Sequence, residues 1–240
     1  MSFSGFPPEA FTFFANLAKN NNRDWFQARK HVYEQACREP MKALMAAIDP
    51  PFGAGWLSRI NNDMRFNRDR APYKTRIEAG VKGLYVSVGA QGMYVGTGIY
   101  KPEPATLRQL RQAIAADASG RTLQTIVAAL RRKGYTVSTH ESSANPPRGY
   151  DAGHPRVELL KMKDIHAGRM FEPPTLTTPK ALAHVKKVMA DLRPFRAWIE
   201  EHHSSRLIVQ RHLEVYENVL QTTPSPAETG DNLREEWASP

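Results

Sequence analysis

One cysteine, Cys37, stands in a chain of 240 residues, and a lone thiol excludes an internal disulfide framework and suits a reducing compartment. No apolar run approaches the roughly 20 residues that a membrane-spanning helix needs. The opening MSFSGFPPEAF has neither a basic start nor an apolar h-region, so no leader is expected and the cytoplasm is the expected location. The recurrent catalytic signatures are missing as well: there is no P-loop, no GxSxG elbow and no HExxH. Histidines at 31, 140, 154, 166, 184, 202, 203 and 212 show no metal-ligand spacing, so neither a metal nor a cofactor is expected. Cys37 lies on a helical pattern with no histidine motif beside it and reads as a small packed residue, not a nucleophile.

Positive charge is plentiful. Lys plus Arg number 33 against 24 Asp plus Glu, for a net charge of +9 and a pI near 9.7. Such a balance favours anionic partners without naming one. The length is ample for a hydrophobic core, and the pattern predicts one α+β domain over residues 1–221 followed by a flexible tail over 222–240. No internal repeat is present, and oligomeric state is not legible.

Apolar residues at helical spacing predict a helix over 8–19, carrying Ala10, Phe11, Phe14 and Leu17, with Pro8 suited to its first turn. Asn20 to Asn22 close that pattern and can cap the next, in which Trp25, Phe26, Val32, Tyr33 and Ala36 recur. The Trp25-Phe26 pair fits a core better than a ligand grip. Pro40 can begin a third helix through Leu44 and Ile48. Further on, Leu107 to Ile114, Leu123 to Leu130 and Leu182 to Leu192 mark more helices, the last with Thr178 and Pro179 at its start and a bend or stop expected at Pro194. A short helix follows Pro155, another covers 207–220, and edge strands are expected at 135–139 and 164–171.

Between Leu57 and Tyr100 the period changes to two, which predicts an antiparallel meander of about four strands. Arg59, Asn61, Asp63 and Arg65 alternate with Ile60, Met64 and Phe66, with Asn62 as one polar exception on the apolar side. Lys74, Arg76 and Glu78 alternate with Tyr73, Ile77, Ala79 and Val81. In the next two strands Leu84, Val86, Val88, Met93, Val95 and Ile99 face the core, and Tyr85, Ser87, Tyr94, Gly96, Gly98 and Tyr100 lie opposite. Two glycines flanked by tyrosines predict a bare strip of backbone that a ligand or a packed helix can approach closely. The glycine pair is not a dinucleotide fingerprint, since the third glycine is missing and the pair sits within a strand.

The blocks NNRDWF (21–26), DMRFNRDRAPYK (63–74), GMYVGTGIY (92–100) and PRGYDAGHP (147–155) together resemble the bacterial family called domain of unknown function 2461. The resemblance covers roughly residues 3–200 and implies an α+β protein. It carries no reaction and no assigned catalytic residues.

The candidate site is therefore the polar face of the meander. Arg59, Arg65, Arg68, Lys74 and Arg76 are interleaved with Asp63 and Glu78, and planar guanidinium groups suit phosphate or carboxylate. Tyr85, Tyr94 and Tyr100 would form walls, and Arg148 and Tyr150 join them from a proline- and glycine-rich loop. The same charges equally suit a cross-strand salt-bridge network that sets register. Two functional classes follow. The first is a protein that binds a small phosphate- or carboxylate-bearing ligand on this face, with or without catalysis. The second is a nucleic-acid-associated basic module in which the cations meet phosphates and the rings stack on bases.

Overall fold

The structure, a computed structural model, describes residues 2–48, 55–63, 71–81 and 83–202. The 207–220 helix and the 222–240 tail lie outside the described residues, as do Arg65 and Arg68.

Helix α1 (Pro8–Lys19) begins on its proline and buries Ala10, Phe11, Phe13, Phe14 and Leu17. Asn22 caps α2 (Arg23–Gln27) by accepting from the Trp25 N–H at 2.9 Å. The apolar pattern through Ala36 does not continue as one α-helix. A short turn, α3 (Lys30–Val32), leads into a π-helical stretch at Tyr33–Arg38 and then α4 (Glu39–Ile48). The wider π turn brings Tyr33, Ala36 and Cys37 inward together. Phe26 is buried and Trp25 half-buried, and both pack against Phe13 as core side chains.

Six strands form one antiparallel sheet: β1 (Trp56–Leu57), β2 (Arg76–Val81), β3 (Leu84–Gly89), β4 (Gly92–Ile99), β5 (Thr136–Ser138) and β6 (Ile165–Phe171). Their spatial order is β1-β2-β3-β4-β6-β5. Strands β2, β3 and β4 are the meander that the alternation predicts. The first strand departs from expectation. Among the described residues, pairing covers Trp56 and Leu57, opposite Gly80 and Ala79, and resumes at a bridge between Asn61 and Tyr73. Four positions separate Leu57 from Asn61 and six separate Tyr73 from Ala79, so two extra residues in the return segment break the ladder. The segment at 165–171 also differs, because β6 lies between β4 and β5 and leaves the edge to β5.

The remaining helices are α5 (Pro104–Ala115), α6 (Asp117–Arg132), α7 (Val157–Lys161) and α8 (Lys180–His202). Pro194 does not end the chain's longest described helix; it lies inside α8. Leu192, Phe195, Trp198 and Ile199 are all buried around it. At roughly 1.5–3 kcal/mol per large apolar side chain, that burial outweighs the roughly 3 kcal/mol cost of an interior proline.

Helices α1, α4, α6 and α8 pack on β3, β2, β5 and β4 with β6, respectively. They cover the face carrying Ile77, Ala79, Val86, Val88, Met93 and Val95, all buried. The opposite face carries the polar set, and that arrangement positions the site.

Candidate functional site

Cross-strand register resolves the polar face into rows. Glu78, Ser87, Tyr94 and Met170 are successive partners across β2, β3, β4 and β6. The next row is Gly80, Tyr85, Gly96, Gly168 and Thr136, and the one beyond joins Gly98, His166 and Ser138. Rows on one face lie about 6.7 Å apart, two residues along a strand.

Glycines in these rows seat aromatic rings. A Cβ on Gly80 would lie 2.4 Å from the Trp56 indole nitrogen, and one on Gly168 would lie 2.2 Å from the Tyr94 hydroxyl. A Cβ on Gly96 would meet the Tyr94 hydroxyl and the Ala167 carbonyl, both at 2.7 Å. The bare strip expected from Gly96 and Gly98 is thus partly occupied by the protein's own Tyr94. At Gly98 the neighbour is backbone, the Ile165 carbonyl at 2.4 Å from a built Cβ, so that glycine serves close approach of β6. Trp56, Tyr85 and Tyr94 form a half-buried row with ring centroids 6.3 and 6.2 Å apart.

Beside this row, Glu78 accepts from Lys74 Nζ at 3.0 Å, Arg76 Nε at 2.8 Å and the Tyr85 hydroxyl at 2.8 Å. Its side chain is only 14% exposed. Burial raises the Glu78 pKa, but the bonds from Arg76, Tyr85 and Lys74 outweigh burial and hold the carboxyl below its ordinary value. Burial, and then the Glu78 charge, push the Tyr85 hydroxyl up to about 12. Tyr94 is raised by burial. Among the described residues, one carboxylate thus faces two cations. Arg76 is 58% exposed and engages Glu78 through Nε, a bond that fixes the plane of its guanidinium.

The structure brings together Lys74, Arg76, Glu78, Tyr85 and Tyr94 from the predicted set. Arg59 and Asp63 are exposed residues in the irregular segment after β1. Tyr100 is 63% exposed at the far end of β4 and meets His140 edge-on. Arg148 is exposed, and Tyr150 packs beside Arg111 of α5 in the helical layer, so neither belongs to this cluster.

Three contributors were not picked out from sequence. Trp56 precedes the alternating stretch. Ser58 accepts from the Glu78 N–H at 3.3 Å. Asn21 acts as a substitute strand neighbour: its side chain donates to the Tyr73 carbonyl at 2.8 Å and accepts from the Tyr73 N–H at 3.0 Å. Phe26 stacks on the Tyr73 ring at 4.0 Å. The NNRDWF block therefore clamps the end of the DMRFNRDRAPYK block, just ahead of Lys74. The available sequence signal was the conjunction of those two blocks.

The cleft between the β2–β3 turn, β4 and α8, lined by Gly83, Leu84, Thr97, Met189, Leu192 and Arg196, holds about 10 Å³, room for one water. The candidate site is the sheet surface and not this cleft.

Helices on one face of an antiparallel sheet and a polar, ring-lined surface on the other define an α+β protein. The chain belongs to the family described as Conserved hypothetical protein (DUF2461), whose model matches residues 9–198. No curated protein and no solved structure matches the chain. Among the described residues, no helix is long and apolar enough to cross a membrane.

Proposed function

We propose that this protein binds a small phosphate- or carboxylate-bearing ligand on the polar sheet face, with the anion at Lys74 and Arg76 and a flat apolar portion on the Tyr85–Tyr94 row. The observation that carries the reading is the Glu78 hub, which orients Arg76 and Lys74 at 2.8 and 3.0 Å next to half-buried rings. A carboxylate that pre-orients a guanidinium reduces the ordering cost of anion capture. A second reading has its own support: an aromatic row on a sheet face of a protein with a +9 charge is also a platform for single-stranded nucleic acid. The tilt between the rings, 43° and 56°, favours one small ligand over a run of parallel stacked bases.

Thermal shift with inorganic phosphate, phenyl phosphate and citrate, beside a single-stranded oligonucleotide titrated across salt, separates the two. Stabilisation by phenyl phosphate, beyond that by inorganic phosphate, is expected by ligand linkage. Arg76→Ala and Lys74→Ala should abolish it and leave weak polyanion binding that vanishes near physiological salt. Submicromolar oligonucleotide affinity that persists at physiological salt and is lost in those variants would install the nucleic-acid reading instead.

A further inference from the structure

We infer that His140, Asp164 and His166 form a binding site for one divalent transition-metal ion of the zinc class. The three side chains offer ligand atoms that all lie within 4.8 Å of one another. They come from the β5 end, the turn into β6, and β6 itself. His140 Nδ1 is 3.2 Å from Asp164 Oδ1, and His166 Nδ1 is 3.5 Å from the same oxygen. Two ligands each about 2.1 Å from a tetrahedral ion stand about 3.4 Å apart, so both separations suit a shared ion. Two imidazoles and one carboxylate are a donor set for zinc and for other first-row divalent ions, with coordination positions left for water or a ligand.

Independent support comes from the outer contacts. His166 Nδ1 is buried and, with Asp164 Oδ1 3.5 Å away, lacks a hydrogen bond of good geometry. Its Nε2 lies 2.9 Å from Ser138 Oγ. Donation from Nε2 to that hydroxyl places the ring's lone pair on Nδ1, toward Asp164, which is the outer arrangement that orients metal-bound histidines. Asp164 is only 4% exposed. Its Oδ1 accepts from the His140 N–H at 2.9 Å and the Thr139 hydroxyl at 3.2 Å, so the carboxylate is held in place before any ion arrives. His140 is 58% exposed, and a turn of its ring closes the set from the solvent side, where Tyr100 lies against it.

This site is separate from the Glu78 cluster, and it goes beyond the proposed anion binding. His166 is three strand spacings from β2, about 14 Å, and four residues along β6 from the Glu78 row, about 13 Å. Failure of one site would leave the other untouched.

The test uses the full chain, without a histidine tag and after chelator treatment, titrated with Zn²⁺ by calorimetry and with Co²⁺ by visible absorption. One equivalent should bind, with Co²⁺ d–d bands of a four- or five-coordinate ion and a raised melting temperature. His166→Ala and His140→Ala should remove the bands, Ser138→Ala should weaken affinity about 10- to 100-fold, and His31→Ala should change nothing. Asp164 anchors its own turn, so Asp164→Asn risks the fold; the exposed His140 carries the decision. Absence of a bound equivalent at micromolar protein, or Co²⁺ bands unchanged in both histidine variants, would overturn the assignment.

Discussion

Tyr85 donates its hydroxyl to Glu78 Oε1 at 2.8 Å across the β2–β3 pair, one row away from Ser87, the direct cross-strand partner of Glu78. This diagonal bond ties the aromatic row to the cationic cluster, so the two halves of the proposed site are mechanically one unit.

Glu78→Gln is expected to destabilise the fold by about 1.5–3 kcal/mol, the range for hydrogen bonds to a charged group. The sign with pH follows from its depressed pKa. The carboxylate's contribution is complete above its unfolded value near 4.5 and is lost as pH falls through the lower folded value. Urea unfolding should show the gap between wild type and Glu78→Gln at pH 7, closing in acid below that range. A gap that widens in acid would contradict the assignment.

Gly80→Ala is expected to cost about 1–3 kcal/mol, because its Cβ would enter the Trp56 indole. All three of the nearest atoms belong to Trp56, so the clash depends on that ring. In a double-mutant cycle, Gly80→Ala should be nearly neutral in a Trp56→Ala background. Equal costs in both backgrounds would place the strain in the strand backbone.

Asp191 of α8 accepts from Lys133 Nζ at 2.6 Å, Lys187 Nζ at 3.0 Å and the Tyr135 hydroxyl at 2.8 Å. The Lys133 bond, above the others, drives the carboxyl well below the ordinary carboxylate range, against the upward push of burial. Asp191→Asn should lose about 2 kcal/mol at neutral pH, and this difference should fade only well below pH 3.8, the ordinary aspartate value. A difference that disappears already at pH 5 would exclude the depressed pKa.

Arg156, 3% exposed, donates from Nε to the Ile114 carbonyl and from Nη2 to the Ala115 carbonyl at 2.6 Å, where α5 ends. Gln124 Oε1 and Asp117 Oδ1 complete the fork at 3.4 Å each. A lysine cannot reach both carbonyls with a planar fork. Arg156→Lys should therefore cost about 2–4 kcal/mol through the unsatisfied carbonyls, read by thermal or urea unfolding. A change under about 0.5 kcal/mol would make this arginine dispensable to the helix junction.

Much of this architecture was legible in residue order. The alternation through Ile77, Glu78, Tyr85, Val86, Met93 and Tyr94 assigned each to the face where the structure has it, because a strand's side-chain period is two regardless of its partners. Proline and asparagine placed the start of α1 and the cap of α2 for equally local reasons. Family membership was legible in the four sequence blocks.

Other outcomes depended on contacts between distant segments. The alternation at Arg59 to Asp63 resembles that of a strand, yet among the described residues pairing there reduces to one bridge, since the return segment carries two additional residues. Pro194 remains helical because the sheet and α6 bury the residues on both sides of it. Gly96 and Gly168, 72 positions apart, accommodate one tyrosine ring only once β4 and β6 are paired. The same pairing, with β5 alongside, gathers His140, Asp164 and His166. Residue spacing along the chain determined faces, caps and helical stripes, whose causes are local. Which side chains share a surface was decided by register between strands, a property of the folded sheet that no single segment carries.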